Sequence, residues 1–189
     1  MKIKLFLLLF LTFTVITSNK TINCEIETSE GIILVELYPD KAPTTVANFL
    51  KYVDAGLYNN SSFFRVTTPK NEATRAIKIE VIQGGNIPRE KQFSPIEIET
   101  TEQTKILHKN GTLSMARATP NSATSSFFIC INNQPSLDFK GKRNPDGFGF
   151  AAFGKVIKGM DVVKKIQSGE NKNQQLINPI IITSIKRVK

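Results

Sequence analysis

From residue 21 onward the chain is built of short runs in which apolar and polar residues alternate. TINCEIET and GIILVELY each place every second side chain on one face, and the turn-forming SEG between them predicts a hairpin. The period then lengthens. In YPDKAPTTVANFLKYVDAG the apolar residues Val46, Phe49, Leu50 and Val53 recur at helical spacing, Pro43 sits where a helix tolerates proline, and Gly56 marks the stop. A second helical pattern, GMDVVKKIQSG, carries Met160, Val163 and Ile166. IEVIQGGN, SPIEIE, GTLSMARA, FFICIN, GFGFAAFG and NPIIITSIKRV all read as strands, whereas TTPKNEATRAIK reads as an exposed polar loop.

About eight short strands and two helices without regular βα alternation describe a mainly β fold. The expected architecture is a closed eight-stranded antiparallel β-barrel capped by two α-helices. With 189 residues, 40% of them apolar and 22% charged, residues 20–189 suit one globular domain. Residues 1–19 read differently: Lys2 and Lys4 precede an apolar run over residues 5–16, followed by small and polar residues. That is the layout of an export signal, and the run is short of the roughly 20 residues needed to span a bilayer. An exported, periplasmic or secreted protein is expected, without stable membrane insertion once the signal is removed.

The formal charge of +9 changes this picture little. Apart from KGKR at residues 140–143 and the terminal KRVK, the lysines are scattered singly, with no basic stripe interleaved with exposed aromatics. A solvated face is expected rather than a nucleic-acid partner. Cys24 and Cys130 lie in strand-like stretches outside any Cys/His cluster, so no metal is expected, and two buried free thiols are favoured over a disulfide. The single histidine, His108, reads as surface or structural, and Glu97 and Glu99 as a solvated strand face. No nucleophile elbow, zinc motif or phosphate loop is present.

One tetrapeptide occurs twice, in NNSSFFRVTT and ATSSFFICIN, but nothing outside it matches, so it is not a duplication. In the second copy strand alternation puts Ser126 and Phe128 on one face. In the first it puts Arg65 beside Phe63, which a buried face tolerates only if the strand ends or bulges there.

In order along the chain, ELYPDKAPTTVANF, FFRV, IQGG, GTLSMARA, SSFFICIN and FAAFGKVIKGMDVV resemble segments of the cyclophilins, the peptidyl-prolyl cis/trans isomerases, in their short bacterial exported form. The resemblance covers nearly all of the chain beyond residue 23. It implies isomerase activity on X-Pro bonds in exported proteins, proline-containing polypeptides as partners, no cofactor and a monomer. It implies Arg65 as the catalytic arginine and Gln83 as the glutamine that orients it. Phe128 corresponds to the base of the proline pocket, Leu137 to a pocket leucine, and Ala116 and Arg117 to the substrate groove, while Phe153 is a core position with a secondary role. Val81, Ser126, Ser136 and Phe150 occupy further substrate-binding positions but depart from the family's usual residues, as does Phe64, which stands where the family commonly has His. The two serines cannot make the reach of Gln or the contact of Trp. Weakened substrate grip and weak cyclosporin binding are therefore expected. If catalysis is lost altogether, the same barrel becomes a proline-peptide-binding chaperone or scaffold.

Overall fold

The computed structural model describes residues 20–189, and the expected leader over residues 1–19 lies outside them. In chain order the elements are β1 (Ile22–Thr28), β2 (Gly31–Leu37), α1 (Pro43–Asp54), β3 (Ser61–Thr67), β4 (Val81–Gly84), α2 (Thr101–Thr104), β5 (Thr112–Met115), β6 (Phe127–Cys130), β7 (Ala151–Lys158), α3 (Met160–Gln167), β8 (Asn171–Lys172) and β9 (Gln175–Val188). The sheet runs β1-β2-β7-β5-β6-β4-β3-β9, and β9 pairs back onto β1. Every pairing is antiparallel. Eight strands therefore close into a barrel, which removes the free edges an open sheet would expose. β8 adds only a two-residue hairpin to β9.

The predicted hairpin forms in register, with Ile26 opposite Ile33 and Thr28 opposite Gly31. Its inward residues Cys24, Ile26, Ile33, Val35 and Leu37 are fully buried. Helix α1 adds Val46, Phe49, Leu50 and Val53 to the same core, and α3 adds Val163 and Ile166. Phe49 is central: its ring packs 5.4 Å from Phe127, 5.3 Å from Tyr58 and 5.2 Å from Phe153. Burying side chains of this size contributes about 1.5–3 kcal/mol each. Phe153 is wholly core.

Both ends of α1 are closed by specific groups. The Glu99 carboxylate accepts from the Thr44 and Thr45 backbone N–H groups at 3.0 and 2.8 Å and from the Thr45 hydroxyl at 2.6 Å. At the other end Gly56, at φ +64°, donates to Val53 O while Leu57 donates to Tyr52 O. This is the paired hydrogen bonding that a left-handed glycine permits.

The structure departs from the expected elements at several points. SPIEIE is not a strand: Pro95 has no N–H to give a ladder, only Ile96 forms an isolated bridge, to Ala123, and Glu99 caps α1 instead of facing solvent. A third, single-turn helix, α2, follows it, closed by a capping box between Thr100 and Gln103. TTPKNEATRAIK, residues 67–78, is not simply an exposed loop, because Glu72 within it is buried and paired with Arg143. For the same reason KGKR is not wholly solvated. The two cysteines are buried and unpaired, as favoured, and desolvation pushes the Cys24 thiol up to about 11 and that of Cys130 higher still. No helix among the described residues is long and apolar enough to cross a membrane.

Candidate active site

Strands β4 and β6 are buried on both faces. Ile82, Phe127 and Ile129 point into the barrel core, whereas Val81, Phe128 and Cys130 point outward and join Ile79 and Leu137 in a second apolar cluster. Ala116 and Phe150 pack against that cluster. The outer face opens into a pocket of about 280 Å³, lined on its apolar side by Ile79, Val81, Ala116, Phe128, Leu137 and Phe150. Leu137 is carried by a 3-10 turn, and its carbonyl accepts the Phe150 N–H at 3.0 Å, joining two walls of the pocket.

The pocket's polar side exists because β3 bulges. Phe63 pairs with Gly84 and Arg65 with Gln83, so two residues of β3 advance against one of β4. Phe63 and Val66 can then both enter the core, three positions apart, while Arg65 turns outward. The two glycines of IQGG fit this crossing: a Cβ on Gly84 would lie 2.8 Å from the Phe63 ring, and Gly85 has φ +79°. Gln83 in turn lies opposite Phe128 on β6. Arg65, Gln83 and Phe128 thus form one row across three adjacent strands.

The Arg65 guanidinium is held by two neutral acceptors. Its Nη1 donates to Gln83 Oε1 at 2.8 Å, and Nε donates to Gln174 Oε1 at 2.9 Å, with Nη2 donating to the same oxygen. Gln174 is delivered by the β8–β9 turn, in which Asn173 and Gln174 both have positive φ. Burial draws the guanidinium pKa down, Glu72 opposes this, and Arg143 and Arg75 add to it. Behind the turn, the Glu72 carboxylate accepts from Gln174 Nε2 at 3.3 Å, from the Ile79 N–H at 2.8 Å and from both Nη atoms of Arg143. Side-chain exposure is 0% for Glu72 and 9% for Arg143, so the pair is largely buried, with Arg143 reaching the pocket.

Phe128 is fixed from two sides. The His108 ring stacks against it at 6.0 Å and 16°, and Phe150 meets it edge-on at 5.4 Å. His108 is structural and buried. Its backbone N–H and its Nδ1 both meet Asp138 Oδ1, at 2.9 and 2.7 Å, and its Nε2 lies 2.9 Å from the Ser114 hydroxyl. A carboxylate only accepts, which places a proton on Nδ1. Arg117 is similarly committed. It donates to both Asp146 oxygens at 2.8 Å and to Gly149 O at 2.7 Å, and it lies 5.1 Å over the Phe150 ring. These bonds hold the Asp146 carboxyl below its ordinary value.

Of the residues singled out from sequence, the structure brings Arg65, Gln83, Phe128, Ala116, Arg117, Leu137, Val81 and Phe150 to one pocket. Ser126 and Ser136 do not line it. The Ser126 hydroxyl donates to Gly85 O at 3.3 Å and its carbonyl accepts the Ala116 N–H at 2.8 Å. Ser136 is half-buried, and its carbonyl accepts the Arg143 N–H at 3.0 Å. Sequence reasoning missed the lining residues Ile79, Arg75, Arg143 and Asn144, and the supports Gln174 and Glu72. Only the capacity of Glu72 and Arg143 to pair with each other was visible as a signal, across 71 positions.

Fold and site together define an antiparallel barrel with an apolar pocket on its outer wall and a fixed cation at the rim. Residues 23–187 match the family described as cyclophilin type peptidyl-prolyl cis-trans isomerase/CLD. Peptidyl-prolyl cis-trans isomerase cyp18 of Streptomyces antibioticus is 36% identical over 172 residues, 86% of this chain and 96% of that one. Peptidyl-prolyl cis-trans isomerase B of Escherichia coli (strain K12) is 40% identical over 143 residues, 74% and 80% of the two chains. The cyclophilin-type isomerase of Cryptosporidium parvum, crystallised in the presence of the dipeptide Ala-Pro, superposes with a TM-score of 0.69 at 25% identity over 88% of this chain and 99% of that one. The chain belongs to the cyclophilin-type peptidyl-prolyl cis-trans isomerase family.

Proposed function

We propose that this chain accelerates rotation about X-Pro bonds of exported polypeptides at the pocket between Arg65 and Phe128. Rotation breaks no covalent bond, so the requirement is to favour the twisted amide over the planar one. Amide resonance makes the barrier close to 20 kcal/mol, and unaided exchange takes tens of seconds or more. The apolar walls, Val81, Phe128, Leu137 and Phe150, suit a proline ring. They also suit the twisted amide, which is less polar than the planar one. Arg65 supplies the directed charge: as resonance is lost the nitrogen pyramidalises and accepts a hydrogen bond that the planar amide cannot.

The observation that carries this reading is the way Arg65 is held. Three of its N–H groups go to amide oxygens and none to a carboxylate, so its orientation is fixed while its charge is not cancelled. The remaining donors on Nη1 and Nη2 are free to serve a substrate. Ser126 and Ser136 lie off the pocket wall, so their departure from the family pattern leaves this machinery in place. The leader pattern over residues 1–19 supports export. Among the described residues the closed barrel leaves no long strand edge for pairing between copies, which supports a monomer. Exchange spectroscopy on a short Ala-Pro peptide tests the proposal. Exchange cross-peaks are expected at catalytic protein concentration, whereas saturable binding without exchange would make the barrel a binding module.

A further inference from the structure

Four arginines line the pocket, Arg65, Arg75, Arg117 and Arg143, and no aspartate or glutamate does. Two of them are neutralised from behind, Arg117 by Asp146 and Arg143 by Glu72. Arg65 meets only amide oxygens. Arg75 makes no ion pair among the described residues. It is exposed on the segment between β3 and β4, tied down through its backbone N–H, which donates to Glu72 O at 2.9 Å. The pocket thus carries positive charge in excess of what the protein itself balances.

That excess has a location. A second hollow of about 180 Å³ shares Arg75 and Arg143 with the pocket and adds Lys142, with Ala76 and Ile77 completing its lining. Arg75 is also close enough for its charge to weigh on Arg65. A corner lined by three basic side chains and two apolar ones matches a side chain of one or two methylenes ending in a carboxylate. Since the corner adjoins the proline pocket and an extended chain advances about 3.3 Å per residue, such a side chain would belong to a residue within one or two positions of the proline.

Resting on the isomerase reading above, we infer that Arg75, Lys142 and Arg143 form a subsite for an acidic side chain of the substrate, so that the enzyme prefers X-Pro bonds flanked by Asp or Glu. Arg143 is held and balanced by Glu72 and contributes shape, whereas Arg75 and Lys142 supply charge that no carboxylate of the described chain takes up. The preference is electrostatic and exposed, and it weakens as salt rises.

The test uses peptide pairs that differ only by Glu or Gln at each position from two before to two after the proline. Both kcat/KM and, by titration calorimetry, Kd are measured. At one or more positions the wild type is expected to favour Glu by about fivefold, the upper range of one exposed ion pair. The ratio should fall in 0.5 M salt, approach one in Arg75→Gln and in Arg75→Lys stay above its Arg75→Gln value. Circular dichroism of each variant checks the fold. Equal values for Glu and Gln at every position, or an undiminished ratio in Arg75→Gln, would overturn the subsite. Absence of turnover on both peptides would sink the isomerase reading instead, and the Kd ratio would still decide the subsite.

Discussion

Replacing Glu72 by Gln keeps the side chain's shape and removes its charge. The Arg143 guanidinium, only 9% exposed, then loses its carboxylate partner and keeps the Ile77 carbonyl as an acceptor at 2.6 Å. The new amide presents one acceptor oxygen where the carboxylate served Arg143, Ile79 and Gln174 together, and its NH2 group confronts other donors. Breaking a buried pair by removing one partner costs 3–5 kcal/mol, and because Arg143 reaches the pocket and its water, the lower end applies, about 3 kcal/mol. Against a total stability of roughly 5–15 kcal/mol that is a large loss, and for a chain of this size it lowers Tm by about 6–12 °C. Urea unfolding followed by circular dichroism measures it. The double variant Glu72→Gln/Arg143→Met should recover much of the loss, because no unpaired cation then remains. A single-variant loss below about 1 kcal/mol would refute the view that this pair anchors the segment between β3 and β4.

Three other outcomes follow from the same geometry. Gln174→Ala removes two of the three hydrogen bonds that orient Arg65, and kcat in an exchange assay should fall about tenfold with KM changed less; a change in KM alone would place Gln174 in substrate binding. Cys24 and Cys130 hold their protons more tightly folded than unfolded, so a disulfide reagent at pH 8 should label neither until urea is added. Unfolding free energy should then decline as pH rises above about 8.5; rapid labelling of the native protein would contradict the burial. Ser136 is half-buried and offers no aromatic surface beside the pocket, so cyclosporin should bind weakly by calorimetry, and a nanomolar Kd would contradict this.

What could be read in the sequence was local or periodic. The β1–β2 hairpin and helix α1 followed from spacing alone, since Ile26, Val46 and Phe49 had to share faces with their neighbours. The bulge after Phe63 was also legible: a charged residue two positions from a core aromatic cannot keep strict alternation. SPIEIE misled because its alternation is real, yet Pro95 denies it a ladder and the chain spends Glu99 on the distant start of α1. The network behind Arg65 was invisible for another reason. Gln174 lies 109 positions from Arg65, and a polar side chain's role depends on which partner the fold delivers, so a threonine-rich loop hid a buried carboxylate.

The central claim is that Arg65, turned outward by the β3 bulge, supplies the charge that favours the twisted amide. Exchange spectroscopy on an Ala-Pro peptide, comparing wild type with Arg65→Ala at equal saturation, addresses it most directly. A loss of about 10²-fold in exchange rate is expected, equivalent to about 2.7 kcal/mol, with the circular dichroism spectrum and peptide binding retained. Unchanged exchange in the variant would contradict the claim and place the chemistry elsewhere on the barrel.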